Sequence, residues 1–141
     1  MSIVVLVAIA MLALTTLVHF EVLSGLSRVL PMVPLRSRFK LLVVLGATFL
    51  AHALEIALYA VALLLLVRSG VGTMSGAALL SFETALYFSA ETYSSLGYGD
   101  LVPLGALRLL AGAETLNGLL MIGWSASYIH IAMERFWAPK R

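Results

Sequence analysis

The sequence has no cysteine and very little charge: of 141 residues none is Cys, and 11% are Asp, Glu, Lys or Arg. Without cysteine there is no disulfide framework, no thiolate metal site and no cysteine nucleophile, and the redox compartment stays undetermined. Soluble domains carry about a quarter of their residues charged. A chain that is 62% hydrophobic would expose more apolar surface than water tolerates unless lipid covers it. The formal net charge of +2 is too small a surplus to argue for nucleic acid. No segment repeats arginine at every third position, which excludes a voltage sensor of the usual kind. There is no internal repeat and no low-complexity tract, and no attached nucleotide- or calcium-binding domain is expected.

What is present is apolar sequence in blocks. An N-terminal segment within residues 1–30 runs uncharged from Ile3 to Val18, with His19 and Glu21 expected at its inner, interfacial end. That length suffices for one crossing, since roughly 20 residues span the hydrocarbon core, and the absence of a basic region before it argues against a signal peptide. A basic loop, 31–40, follows. Residues 41–137 form the next unit, with an outer helix over 41–67 interrupted only by His52 and Glu55, and an inner helix over 104–137 that Pro139 cannot continue. Between these helices, Ala77 to Tyr93 is too short to cross and reads as a re-entrant segment, with a short helix over about 82–93 that Ser81 would cap and Glu83 would favour in its first turn. Residues 138–141 are a tail. Seven of the 9 basic residues (Arg28, Arg36, Arg38, Lys40, Arg135, Lys140 and Arg141) fall in the first loop and at the C-terminal end. The positive-inside rule puts both in the cytoplasm and the N-terminus outside, which three crossings satisfy. Phe136 and Trp137 fit an interfacial belt at the inner surface.

After the short helix comes Glu91-Thr-Tyr-Ser-Ser-Leu-Gly-Tyr-Gly-Asp100, then Leu101-Val102-Pro103. In this setting the chain resembles the potassium-channel pore family, over about Lys40 to Met133, with the first helix as an addition. The family's filter is Thr-Val-Gly-Tyr-Gly, whose carbonyl oxygens replace the hydration shell of the ion. The resemblance implies an all-α membrane fold of three spanning helices plus a re-entrant pore helix, and Ser95-Leu96-Gly97-Tyr98-Gly99 as the filter. K+ would bind the carbonyls of Ser95, Leu96, Gly97 and Tyr98 and the Ser95 hydroxyl, with Gly99 at the outer mouth. Glu91 and Asp100 match positions whose side chains meet behind the filter, and two carboxyls so placed do not both ionise easily. Tyr87 and Phe88 stand where the family places two tryptophans, so Tyr87 is expected to support Tyr98. One filter loop per chain encloses no pore, and a fourfold homotetramer follows.

The remaining intramembrane polar groups are costly at depth and hence functional candidates. His52 and Glu55 lie on one helix face, and Glu114 on the inner helix falls at comparable depth, so a buried cluster of these three is expected. Mutual satisfaction, a proton sensor and a divalent-metal site are the open readings. Gly118 is a candidate hinge or a close-packing glycine, as is Gly123. Trp124 is either a packing residue or a constriction, and His130 with Glu134 is either a solvated helical pair or a pH gate. The expected protein is a channel in the plasma membrane that passes K+ passively, with K+ in the filter, no organic cofactor and no reaction to catalyse. Anionic lipid would meet Arg28, Arg36, Arg38 and Lys40. A weakly selective Na+/K+ pore and a non-conducting membrane scaffold are the alternatives, and an intramembrane enzyme lacks a nucleophile or metal motif.

Overall fold

The computed structural model describes residues 1–76 and 79–137, the side chain of Trp137 excepted. Ala77, where the re-entrant stretch was expected to begin, Pro139, Lys140 and Arg141 lie outside the described residues, as does the interfacial role expected for the Trp137 side chain.

Four helices carry the chain: α1 (Ser2–Val29), α2 (Ser37–Arg68), α3 (Phe82–Tyr93) and α4 (Leu107–Trp137). Two short strands, β1 (Met74–Ser75) and β2 (Val102–Pro103), pair antiparallel with Met74 opposite Pro103 and Ser75 opposite Val102. Among the described residues α1 and α2 are the two helices long and apolar enough to cross a membrane. At 28 and 32 residues they extend about 42 and 48 Å, beyond a hydrocarbon core of about 30 Å. They are apolar nearly all round, as lipid-embedded helices must be. α4 has 31 residues but carries Arg108, Glu114, Asn117, Glu134 and Arg135.

Two boundaries differ from the sequence reading. α2 begins at Ser37, directly after Pro34 and the extended Arg36, so Arg38 and Lys40 stand on its first turns and not in a loop. The inner helix begins at Leu107 because Val102–Pro103 is taken up in the hairpin strand, and Gly105, at φ +58°, turns the chain between strand and helix.

The core forms where α2 meets α3 and α4, with Tyr59, Leu63 and Leu66 against Ala85, Phe88, Leu107 and Leu110. α1 lays Val4, Ala8 and Met11 onto the same cluster, and Leu30 joins Val44 and Ala132 in a second cluster at the other end. The additional helix therefore runs the length of the bundle, in contact with both α2 and α4. Outward faces are apolar: Leu6, Ile9, Phe49, Leu50, Leu116 and Leu120 are all exposed on the single chain.

Candidate functional site

The hairpin and α3 position the segment 94–100. Ser81 caps α3, its hydroxyl oxygen accepting from Thr84 N at 3.1 Å, with Glu83 in the first turn. Gly76, at φ +95°, sits where an added Cβ would lie 1.9 Å from the Asp100 carbonyl oxygen. Only glycine lets the strand before α3 close onto the strand after the filter. At its other end α3 runs straight into the segment 94–100: Leu96 N and Gly97 N donate to the Glu91 carbonyl at 2.8 and 3.3 Å, and Ser95 N donates to Thr92 O at 3.1 Å. The C-terminal end of a helix carries partial negative charge, which favours a cation beside it.

Along residues 95–99 the backbone alternates. Ser95 (φ +61°), Gly97 (φ +57°) and Gly99 (φ +81°) are left-handed, whereas Leu96 and Tyr98 between them are not. In an ordinary strand successive carbonyls point to opposite sides, and inverting every second residue turns them to one side. Glycine makes that cheap at 97 and 99, where no neighbour lies within 4 Å of an added Cβ, so conformation and not space demands glycine there. Ser95 adopts the same region with a side chain attached.

The filter's supports differ in detail from the expected carboxyl pair. Tyr98 N donates to Glu91 Oε2 at 3.3 Å, so the buried Glu91 braces the filter backbone itself. Asp100 accepts from Leu101 N at 3.1 Å and from the Tyr87 hydroxyl at 3.5 Å. Tyr87 also stacks on Tyr98, ring centroids 6.4 Å apart and planes within 4°. On the α4 side, Thr115 donates to Thr92 O at 3.2 Å.

The intramembrane polar groups form not one cluster but two sites and a pair. Glu114 accepts from Ser89 and is buried between α3 and α4, apart from His52 and Glu55. Asn117 Nδ2 donates to Thr15 Oγ1 at 2.7 Å, joining α4 to α1. Glu55 is instead met by His19, which overturns the interfacial placement of that residue: His19 is fully buried, Nδ1 on Glu55 Oε1 at 2.9 Å. From there the contacts close on themselves. His19 Nε2 pairs with Ser125 Oγ at 3.1 Å, Ser125 Oγ with His52 Nε2 at 2.9 Å, and His52 Nδ1 with the Tyr93 hydroxyl at 2.9 Å. The Tyr93 hydroxyl donates to Glu55 Oε2. All four helices contribute to this ring. One missed signal was present in the sequence: Val4, Ala8, Met11, Thr15, His19 and Leu23 lie at helical spacing, and they are the buried face of α1. Ser125 carried the same signal, at helical spacing with the buried Leu107, Leu110, Glu114, Asn117 and Met121 of α4.

As metal ligands, His19, His52 and Glu55 offer atoms within 4.8 Å of one another. His19 Nδ1 and His52 Nδ1 stand 2.9 and 3.5 Å from the Glu55 oxygens, and the same side chains are engaged in the hydrogen bonds of the ring.

The other candidates are placed as follows. Gly118 lies within the continuous helix α4, and an added Cβ would sit 2.1 Å from the Tyr93 carbonyl oxygen, whereas nothing lies within 4 Å at Gly123. Gly118 is thus a close-packing glycine. Trp124 packs its ring on His19 and Phe20, with centroids 5.4 and 6.5 Å away. His130 and Glu134 are an exposed pair at 3.6 Å. Arg28, Arg36 and Arg38 are exposed, and Lys40 reaches Pro31 O at 3.4 Å with its ammonium over Phe136.

A short helix leads into a segment with left-handed φ at 95, 97 and 99, beside two helices long and apolar enough to cross a membrane, and the fold is that of a helical membrane protein. Residues 42–135 match the family described as "Ion channel", and the chain belongs to that family. Among individual relatives, it is 39% identical over 56 residues to the inward rectifier potassium channel Kirbac3.1 of Paramagnetospirillum magnetotacticum, covering 39% of this chain and 19% of that protein. It is 45% identical over 47 residues to Protein LctB of Geobacillus stearothermophilus, covering 33% of this chain and 35% of that one. Protein LctB of Bacillus caldotenax is 49% identical over 39 residues, 28% of this chain and 29% of the relative. The chain therefore spans well under half the length of each relative. No solved structure matches it.

Proposed function

We propose that the chain is one subunit of a homotetrameric, potassium-selective channel that conducts K+ passively through Ser95-Leu96-Gly97-Tyr98-Gly99. The observation that supports this reading is the alternation of left-handed φ at 95, 97 and 99, the kind of backbone that aims successive carbonyls, here those of Ser95, Leu96, Gly97 and Tyr98, at one axis. A single such row gives an ion too few oxygens. Four rows around an axis replace its hydration shell, which is the argument for four copies. Leu96 and Tyr98 are 58% and 68% exposed on the single chain, large apolar surface next to the filter that neighbouring subunits would cover. The potassium channel among the relatives agrees with K+ as the ion. α4 is read as a third crossing because it packs along both α1 and α2. The exposed Arg28, Arg36 and Arg38 then lie at the cytoplasmic face of the plasma membrane, available to anionic lipid headgroups, with the N-terminus outside. Lys40 is partly engaged within the chain and contributes less. The protein supplies a path and no reaction.

The test is flux from the purified full chain in liposomes, with K+ and Na+ in parallel, beside Gly97→Ala. K+ flux well above Na+ flux, abolished in Gly97→Ala while the assembled size is unchanged, is the expected result. Undiminished K+ flux in Gly97→Ala goes against this filter, and no flux from correctly sized protein favours a non-conducting scaffold. A weakly selective Na+/K+ pore is favoured by one feature: Ser95 lacks the β-branch that stiffens the usual threonine. Comparable K+ and Na+ flux, lost in Gly97→Ala, is its signature.

A further inference from the structure

The ring Glu55–His19–Ser125–His52–Tyr93 fixes a proton count. It contains five contacts, and each contact takes one hydrogen. Two neutral imidazoles, one serine and one tyrosine hydroxyl supply four, and an ionised carboxylate supplies none. With four, one contact would set two lone pairs against each other and a net negative charge would be buried in the membrane. With six, two hydrogens would meet across one contact. Five satisfies every group and leaves the ring without net charge. The fifth hydrogen can sit on Glu55 with both histidines neutral, every group then donating to the next in one sense around the ring. It can equally make one histidine an imidazolium beside the Glu55 carboxylate. The count is the same in each arrangement.

We propose that this ring is a proton-binding site holding that fifth proton, and that its occupancy regulates conduction through Tyr93. The coupling rests on the channel reading above. Tyr93 is the last residue of α3, two positions before Ser95, and its backbone carbonyl is pressed against Gly118 of α4. Loss or gain of one proton breaks a contact of the ring and frees Tyr93, His19 or Ser125 to shift against the inner end of the filter. Beyond the ring's members, the titratable groups facing it are Tyr59 on α2 and Glu114 on α4. Among the described residues, α1 brings only His19 and α3 only Tyr93. Glu114 is engaged by Ser89. His52 is the partly exposed member of the ring.

Glu55→Gln gives a sharp test, because one N–H of the amide completes the count of five with both histidines neutral, so the ring is satisfied without the extra proton. Ser125→Ala removes two contacts and one hydrogen, leaving three contacts that three hydrogens fill, so no contact requires the extra proton while the buried carboxylate charge still favours it. K+ flux from the full chain in liposomes is measured between about pH 5 and about pH 8, the window in which histidine titrates. Histidine nitrogen resonances and the infrared carboxyl band are recorded on the same protein. The expected result is a severalfold change of wild-type flux with pH, a flat profile for Glu55→Gln and a displaced inflection for Ser125→Ala. The spectra should show one protonated carboxyl or one imidazolium at neutral pH. Two neutral histidines with an ionised Glu55, a flat wild-type profile, or a wild-type inflection retained in Glu55→Gln overturns the proposal. Flux absent at every pH fails the channel reading and the coupling with it, while the spectra still decide the proton count.

Discussion

The Tyr93 hydroxyl, at the end of α3, donates to the buried carboxyl of Glu55 in the middle of α2. The last residue of α3 is thus fastened to α2 by a buried hydrogen bond, where an unmatched polar group costs about 1–3 kcal/mol. The same tyrosine meets α4 through its backbone, so three helices fix the base of the filter. Changes at those contacts are expected to reach conduction without touching the filter sequence.

Gly118→Ala should be among the most damaging single-atom additions. Its Cβ would lie 2.1 Å from a backbone oxygen that cannot rotate away, whereas Gly123 on the same helix has nothing within 4 Å. Overpacking costs typically about 1–3 kcal/mol, while alanine for glycine in an open helical position gains about 0.5–1 kcal/mol. Thermal melts of the detergent-solubilised protein should therefore fall for Gly118→Ala and hold or rise for Gly123→Ala. Equal melts would remove the close-packing role.

Ser89 and Glu114 should behave as a unit. Ser89→Ala leaves a buried carboxyl without its donor and is expected to cost about 1–3 kcal/mol. Removing both polar groups, as Ser89→Ala with Glu114→Leu, should cost less than the two single changes added together. A double-mutant cycle on unfolding in mild detergent reads the coupling, and additive costs would show that the pair is not coupled.

Gly76→Ala tests the hairpin. Two obstacles meet there, a left-handed φ of +95° and a contact of 1.9 Å to the Asp100 carbonyl, whereas Gly70 has a comparable φ of +74° and open space. Strain alone costs an L-residue about 1–2 kcal/mol. Gly76→Ala should thus lower the melting temperature clearly more than Gly70→Ala, and should shorten the filter's conductive lifetime in single-channel records. Indistinguishable variants would mean that the hairpin does not hold the filter.

At the outer mouth, Tyr87 supports Tyr98 in two ways that can be separated. Tyr87→Phe keeps the stacked ring and loses a long hydrogen bond of 3.5 Å to Asp100, and Tyr87→Leu loses both. K+ flux should be little changed in the first and reduced severalfold in the second. The reverse order would make the Asp100 contact the support that matters.

Much of this was legible in the residue string. Apolar length announced α1 and α2, because hydrocarbon leaves the backbone no partner but itself and a helix of such residues is the available solution. Ser81 with Glu83 announced the start of α3, and Gly97 and Gly99 the left-handed turns of the backbone after it, since capping and left-handed φ depend on residues near in sequence. The polar interior was half legible. Helical spacing put His52 and Glu55 on one face, but it attached Glu114 to them by depth alone, and depth says nothing of which way around its axis a helix is turned. That rotation gave Glu114 to Ser89. It also brought His19, read as interfacial, to Glu55.

By itself, then, the sequence determined the solvent, the helices and the left-handed glycines after α3, each of which follows from composition or from residues within a few positions of one another. Only the tertiary structure decided who satisfies whom inside the bilayer. A buried donor or acceptor must find a partner wherever packing puts one, and the partners of Glu55, at 19 and 93, are 36 and 38 positions away. The closed ring of five exists because four helices meet at one depth, and no local pattern in any one of them encodes it.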